Sequence, residues 1–318
     1  MDDCIDSLGA ARVFSTLDAN WGYWQLPIWP QDRDKTALVC HSGTYRYKRM
    51  PFGLVNAPAS FQRALDVILA GYKWQTCLVY LDDVVIFSKT VADHIGHVDT
   101  ILSALSAAGV SLRLEKCEFF TSEITYLGHI IRPGRLSVDA AHTKCLRDAS
   151  HPRTQTELRS FLGFVNVYRR FIKDFAHIAA PLNALLRKGM PAKLEEFGEP
   201  EMAAFHRLTD AVLRPPVLEL PKSGLRYSVD TDSSGSQIGC TLFQAADSGQ
   251  REPLQYWSRS LNTHERNYST PEKECLAVVW ALLTFRPYLQ YEKFTVFSHQ
   301  SSLRWVRSVG DTSGRLMQ

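Results

Sequence analysis

The sequence predicts an α+β chain built from more than one domain, and three observations carry that prediction. Short β-branched and aromatic runs alternate with helical stretches over residues 10–130. From about 138 to 193 the pattern turns helical, and after Pro215-Pro216 and Pro221 a new set of strands begins. At 318 residues the chain is longer than one ordinary domain, so two or three compact units are expected. With 45% apolar and 22% charged residues it can bury cores under a solvated surface.

Taken in order, Phe14–Leu17, Thr36–Val39, Thr44–Lys48, Thr76–Tyr80 and Val84–Ser88 read as strands. Pro58-Ala59-Ser60 opens a helix that runs to about Ala70 and is ended by Gly71. Ile95, Val98, Ile101, Leu102 and Leu105 recur at helical spacing until Gly109. Thr154-Gln155-Thr156-Glu157 has capping-box spacing. Beyond it Leu158, Phe161, Leu162, Val165, Tyr168, Ile172 and Phe175 form one stripe, with Arg159, Arg169, Arg170 and Lys173 off it, so the module should have a basic exterior. Leu225–Val229, Gly239–Phe243 and Leu254–Ser258 read as strands, followed by a helix over Glu272–Leu283 and a strand at Phe294–Phe297.

No apolar run approaches the length of a bilayer span, and Met1-Asp2-Asp3-Cys4 is acidic where a signal peptide should be basic, so no membrane and no secretion are expected. Seven cysteines stand far apart without a C-x-x-C pair, which argues for reduced, mostly buried thiols in an intracellular protein. Residues 144–193 hold ten Lys/Arg against three acids, a local excess of +7 in a chain of net charge +3. A basic segment beside an acid-bearing region suits a phosphate backbone, although a charge run is more often a solvated helix face.

The acids are the sharper signal. Asp82-Asp83 interrupt the apolar run Thr76–Phe87, where adjacent carboxylates repel unless a cation neutralises them. A plain turn remains open as a reading, since Asp favours turns. Asp18 ends another strand, Phe14–Asp18. Phosphoryl transfer at a two-metal site needs acids to hold cations about 4 Å apart, and three acids on two neighbouring strands would supply them.

Here the chain resembles a known family. Phe14-Ser15-Thr16-Leu17-Asp18-Ala19-Asn20-Trp21-Gly22-Tyr23-Trp24-Gln25 is similar to the first palm motif of gypsy-type LTR-retrotransposon reverse transcriptases. Met50–Gln62 is similar to their second motif and Tyr80-Leu81-Asp82-Asp83 to the third. Gly109–Lys116 resembles the fourth, and Tyr126-Leu127-Gly128-His129 the primer grip. The resemblance implies an α+β palm (antiparallel sheet plus helices) with partial fingers over 1–137 and a helical thumb over 138–198. A connection over 199–224 and a truncated RNase H-like α/β domain over 225–318 complete it. It implies RNA-directed DNA polymerisation with Asp18 and Asp82 as principal Mg2+ ligands, or Mn2+ ligands, and Asp83 in support. Tyr23 would stack under the sugar, Phe52 would line the incoming nucleotide, and Lys116 would lie near the triphosphate. The partners implied are an RNA or DNA template-primer duplex and deoxynucleoside triphosphates, in the cytoplasm or nucleus; dimerisation is left open.

A second site is implied by Ser228–Gly235 and by Tyr268–Ala277, with Asp232 and Glu274 as its acids. Where the family carries a third acid, after Phe294–Ser298, this chain has His299, a poor ligand for a hard cation. RNA-strand hydrolysis is therefore expected to be lost or very weak. The fingers segment that precedes the first motif in the family is mostly absent, so an inert nucleic-acid-binding remnant of a transposon polyprotein stands as the alternative.

Overall fold

A short helix α1 (Asp2–Asp6) leads into β1 (Val13–Asp18), the strand on which the first half of the molecule is built. The computed structural model describes residues 2–194, 197–222, 224–245 and 250–298. Its internal contacts divide the chain into two compact units: residues 1–127 with 131–134, and residues 128–130 with 135 onward.

In the first unit, β2 (Leu38–Cys40) and β3 (Gly43–Tyr45) form a small exposed hairpin. Helix α2 (Ala57–Ile68) follows, with Pro58 in its first turn, where a missing N–H costs nothing. Next come β4 (Cys77–Tyr80), β5 (Asp83–Ser88), helix α3 (Val91–Ala107), β6 (Glu118–Thr121) and β7 (Ile124–Tyr126). The order β4-β5-β1-β6 places β1 inside the sheet, antiparallel to β5 and β6. Phe61 and Leu65 of α2 and Val98, Ile101 and Leu105 of α3 pack with Leu17, Val79, Val84 and Ile86 of the sheet. That packing converts two helical stripes and three apolar strands into one core. Thr90 caps α3 by accepting from the Asp93 amide at 3.1 Å, and Gly109 takes the left-handed conformation just past the helix end.

The expected strand at Thr36–Val39 is displaced. Pro30–Thr36 form a 3-10 helix instead, because Pro30 starts a turn and the Thr36 hydroxyl closes onto the Arg33 carbonyl at 2.7 Å.

The chain passes through β8 (His129–Arg132) to the second unit, which begins with β9 (Arg135–Val138), helix α4 (Ala140–Thr143) and helix α5 (Gln155–Val167). Helices α6 (Phe175–Ala184) and α7 (Glu199–Leu213) and strand β10 (Leu218–Glu219) come next. The sheet strands are β11 (Tyr227–Ser233), β12 (Gln237–Ala245) and β13 (Arg251–Ser260); helices α8 (Thr270–Thr284) and α9 (Arg286–Leu289) then lead to β14 (Phe294–Ser298). The sheet order is β13-β12-β11-β14, with β14 parallel to β11 across the α8 crossover. Ala281 and Phe285 seal α8 and its C-terminus against Val229, Cys240 and Leu242.

Two expectations are corrected here. The apolar stripe from Leu158 to Phe175 is not one helix: α5 stops at Val167, Arg169–Phe171 make a 3-10 turn, and Asp174 sits in the left-handed region at φ 58°. That break turns two of the basic residues inward. Arg170 is only 3% exposed. Arg169 donates to the Ser258 carbonyl at 2.9 Å and lies 4.4 Å from the Trp257 ring centroid, tying the 3-10 turn to β13. The exterior is therefore less basic than residue counting indicates. The cysteines also differ: Cys77 and Cys240 alone are buried, Cys40 and Cys145 are exposed, and the other three are half-buried. Among the described residues no helix is long and apolar enough to cross a membrane.

Replacing Arg169 with Ala removes a hydrogen bond and a cation–π contact at once. We expect a loss of about 1–3 kcal/mol in the second unit, read as a lower Tm, whereas exposed Arg159→Ala should change it by less than about 0.5 kcal/mol.

Candidate active site

Strand register decides where the acids go. Pairing of β1 with β5 sets Asp18 directly across from Asp83, and pairing of Tyr80 with Asp83 leaves Leu81-Asp82 as the two-residue loop of the β4–β5 hairpin. Three carboxylates thus gather at one end of one sheet. Burial, then the charges of Asp83 and Asp18, pushes the Asp82 carboxyl above the ordinary carboxylate range. Burial and the facing Asp18 raise Asp83 as well, against a lowering by Lys116.

The loop has no glycine, so Leu81 carries the left-handed conformation at φ 56°. Gln62 of α2 holds it there: its Oε1 accepts from the Leu81 amide at 2.5 Å, and its Nε2 donates to the Val79 carbonyl at 3.2 Å. Asp66 receives the second Nε2 hydrogen at 3.0 Å and is itself paired with Lys73 at 2.5 Å. On the other side Gly22 comes close. A Cβ there would lie 3.0 Å from the buried Phe61 ring and 3.2 Å from Asp82 Oδ1, so any larger residue would have to push one of these side chains aside.

The remaining residues singled out in the sequence border this edge. Tyr23, whose hydroxyl is pushed up by burial and then by Asp82, packs its ring 5.0 Å from Phe52 and 5.8 Å from Phe61. Lys116 Nζ lies 3.5 Å from Asp18 Oδ2. At the far end of the same strands, buried His94 bonds to Ser15 of β1 at 2.8 Å and to Ser88 of β5 at 2.7 Å. Burial, then the neighbouring His97, holds His94 below its usual range, so a neutral ring clasps the two strands.

Among the described residues no group of three or more His, Cys, Asp or Glu side chains is arranged to hold a metal ion. The oxygens of these acids are nevertheless of the kind that a hard divalent cation takes. Asp82 Oδ1 is buried without a hydrogen-bond partner, and such ions complete their shells with water and substrate phosphates.

The second group of acids is not assembled in the same way. Asp232 lines a cavity of about 200 Å3 with Asp230, Asp174 and Lys173, and Glu274 is not part of that lining. Glu274 is 4% exposed and accepts from the Ser233 hydroxyl at 2.9 Å and the Ser298 hydroxyl at 3.1 Å. His299 lies outside the described residues.

Gln62, Gly22 and His94 are the positions that sequence reasoning missed. The first two stand inside quoted motifs without an assigned role; His94 is one of two histidines on a helix and gives no signal of its own. Because protonation relieves crowded carboxylates, a raised carboxyl destabilises the fold at neutral pH and does so less as pH falls through its own titration. In buffer without divalent ions, Asp82→Asn should therefore melt above the parent chain at neutral pH, and the gap should close as pH drops. A variant that melts lower at neutral pH would contradict the crowding.

Two family models match the chain: "Reverse transcriptase (RNA-dependent DNA polymerase)" over residues 2–131, and "RNase H-like domain found in reverse transcriptase" over residues 197–296. The retrovirus-related Pol polyprotein from transposon 297 of Drosophila melanogaster is 37% identical over 99% of this chain and 29% of its own length. That from transposon gypsy of the same organism is 36% identical over 98% and 31%. The Tf2-3 transposon polyprotein of Schizosaccharomyces pombe is 30% identical over 95% and 23%. The chain thus spans under a third of the curated relatives it matches. A foamy viral protease-reverse transcriptase in complex with double-stranded DNA shares the fold, with a TM-score of 0.82 at 23% identity over 95% of this chain and 54% of that one. A foamy viral protease-reverse transcriptase in complex with an RNA/DNA hybrid gives 0.77 at 22% identity, over 98% and 43%. The chain belongs to the reverse-transcriptase family of retrotransposon polyproteins, with a reverse-transcriptase domain followed by an RNase H-like domain.

Proposed function

We propose that the first unit adds deoxynucleotides to a primer end, directed by an RNA or DNA template. One observation carries the reading: strand register sets three acidic residues at one sheet end, where a buried oxygen of Asp82 has no hydrogen-bond partner. Asp18 and Asp82, with Asp83 alongside, would hold divalent cations, Mg2+ or Mn2+, which when bound activate the attacking hydroxyl oxygen and steady the leaving phosphate. The chain's own groups do the rest. Tyr23 and Phe52 present a ring surface for sugar and base, and Tyr23 would exclude a 2′-hydroxyl by occupying its space. Lys116, half-exposed beside Asp18, can turn its ammonium to a phosphate.

In this reading residues 1–137 serve as palm with part of the fingers, 138–198 as thumb, 199–224 as connection and 225–318 as the RNase H-like domain. The exposed bases of the 144–193 segment would grip phosphates and carry no sequence preference. Solved structures of like fold that hold double-stranded DNA or an RNA/DNA hybrid favour a template-primer duplex as partner. We further infer that RNA-strand hydrolysis is lost or very weak. Glu274 is already engaged by two serine hydroxyls, and His299 stands where the family carries a third acid.

Primer extension on an RNA template with Mg2+ tests the polymerase reading. The chain should extend the primer, and Asp82→Asn should reduce the rate by about 1,000-fold or more, the scale of a lost charge contact to a transition state. Extension that survives the substitution would sink the site; no extension by either protein would favour an inert nucleic-acid-binding remnant. A labelled RNA–DNA hybrid tests the other inference: we expect it intact after incubation with Mg2+, and cleavage that disappears with Asp232→Asn would overturn the loss.

A further inference from the structure

Trp21 stands between the first metal-site acid and Tyr23, and its backbone is strained. It adopts φ 52° and ψ 45°, the left-handed region, which a bulky side chain rarely enters and which glycine or asparagine would occupy at less cost. Strain of this kind persists where surrounding structure or function demands it. Core packing is not the demand, because Trp21 is 65% exposed. Nor is the turn itself: the Trp24 amide bonds to the Trp21 carbonyl at 2.8 Å, a backbone contact that any residue could make.

What the side chain touches is Phe52. The two ring centroids are 6.3 Å apart at 68°, an edge-to-face pair. Phe52 needs such support. It is 52% exposed and sits on a turn just before Gly53, whose φ is 92°, so little else restrains its ring. Its other ring neighbour is Tyr23, which rests on the buried Phe61. Four rings therefore run in series from core to solvent, Phe61, Tyr23, Phe52 and Trp21. The series starts beside the carboxylates, where Gly22 lets Phe61 and Asp82 approach.

We propose that Trp21 is a positioning residue for the incoming nucleotide: its indole braces Phe52 from the solvent side of the ring series and keeps the nucleotide-lining face in place. The inference rests on the polymerase reading of the first unit and adds to it a residue that sets nucleotide affinity. An interaction that only positions the bound nucleotide acts on ground state and transition state alike, so its loss raises KM and spares kcat.

Single-nucleotide incorporation on a primed template, measured with Trp21→Gly and Trp21→Phe alongside thermal unfolding, separates this role from a structural one. Trp21→Gly relieves the strained backbone and removes the brace. We expect KM for the nucleotide to rise roughly three- to tenfold with kcat within about twofold, the scale of one lost ring pair. The Tm should stay level or rise by about 2–4 °C. Trp21→Phe keeps a ring at the site and should bring KM back to within about twofold of the parent. An unchanged KM in Trp21→Gly overturns the proposal alone, as does a KM rise that comes with a fall in Tm, since the indole would then be holding the fold. A parent chain that neither extends a primer nor takes up a nucleotide on a dideoxy-terminated primer overturns the polymerase reading, and this inference with it.

Discussion

Like-charge repulsion at the end of one small sheet is the constraint around which the first unit is organised. Asp18, Asp82 and Asp83 are brought together by strand register, and burial makes each of the hairpin acids dearer to ionise. Nothing in the local sequence favours such an arrangement. It persists because the strands that carry the acids are gripped elsewhere: by the apolar core beneath them, by neutral His94 between Ser15 and Ser88, and by Gln62 under the hairpin loop. Stability is given up at the edge and recovered in the packing behind it, the usual arrangement of a preorganised site.

The same logic explains where small and strained residues fall. Gly22 is the gap through which Phe61 and Asp82 approach, and Leu81 is forced left-handed because the two-residue loop is too tight for anything else. A left-handed residue of this kind costs about 1–2 kcal/mol, which one amide-to-carboxamide bond from Leu81 to Gln62 helps offset.

The second unit shows polar groups drawn into structure. Arg169 lies on Trp257, Arg170 is buried, and Glu274 is satisfied by two serine hydroxyls. Each would be exposed and available if sequence pattern alone decided. A 3-10 turn after Val167 rotates the first two inward, and the register of Ser233 and Ser298 with α8 satisfies the third. Elements with strong periodicity were legible: β1, β4, β5, α2, α3 and α8 fall within a few residues of expectation. The three- and four-residue strands β6 to β9 were not, because so short a run carries no period to detect, whereas β4, equally short, lies in the longer apolar stretch Thr76–Phe87.

By itself the sequence determined the chemistry on offer: two adjacent acids in an apolar run, a third at a strand end, an aromatic-rich stretch around Tyr23 and Phe52, and the order of motifs that marks the family. Those are properties of residue type and spacing, which a linear chain displays directly. Tertiary structure alone decided which groups meet. Asp18 and Asp83 are 65 positions apart and become neighbours only through antiparallel pairing. Gln62 reaches Leu81 only because α2 packs beneath the hairpin, and Glu274 meets Ser233 and Ser298 only through the placement of strand and helix. Contact between distant positions follows from packing, and packing depends on the whole core at once, so no local pattern can encode it.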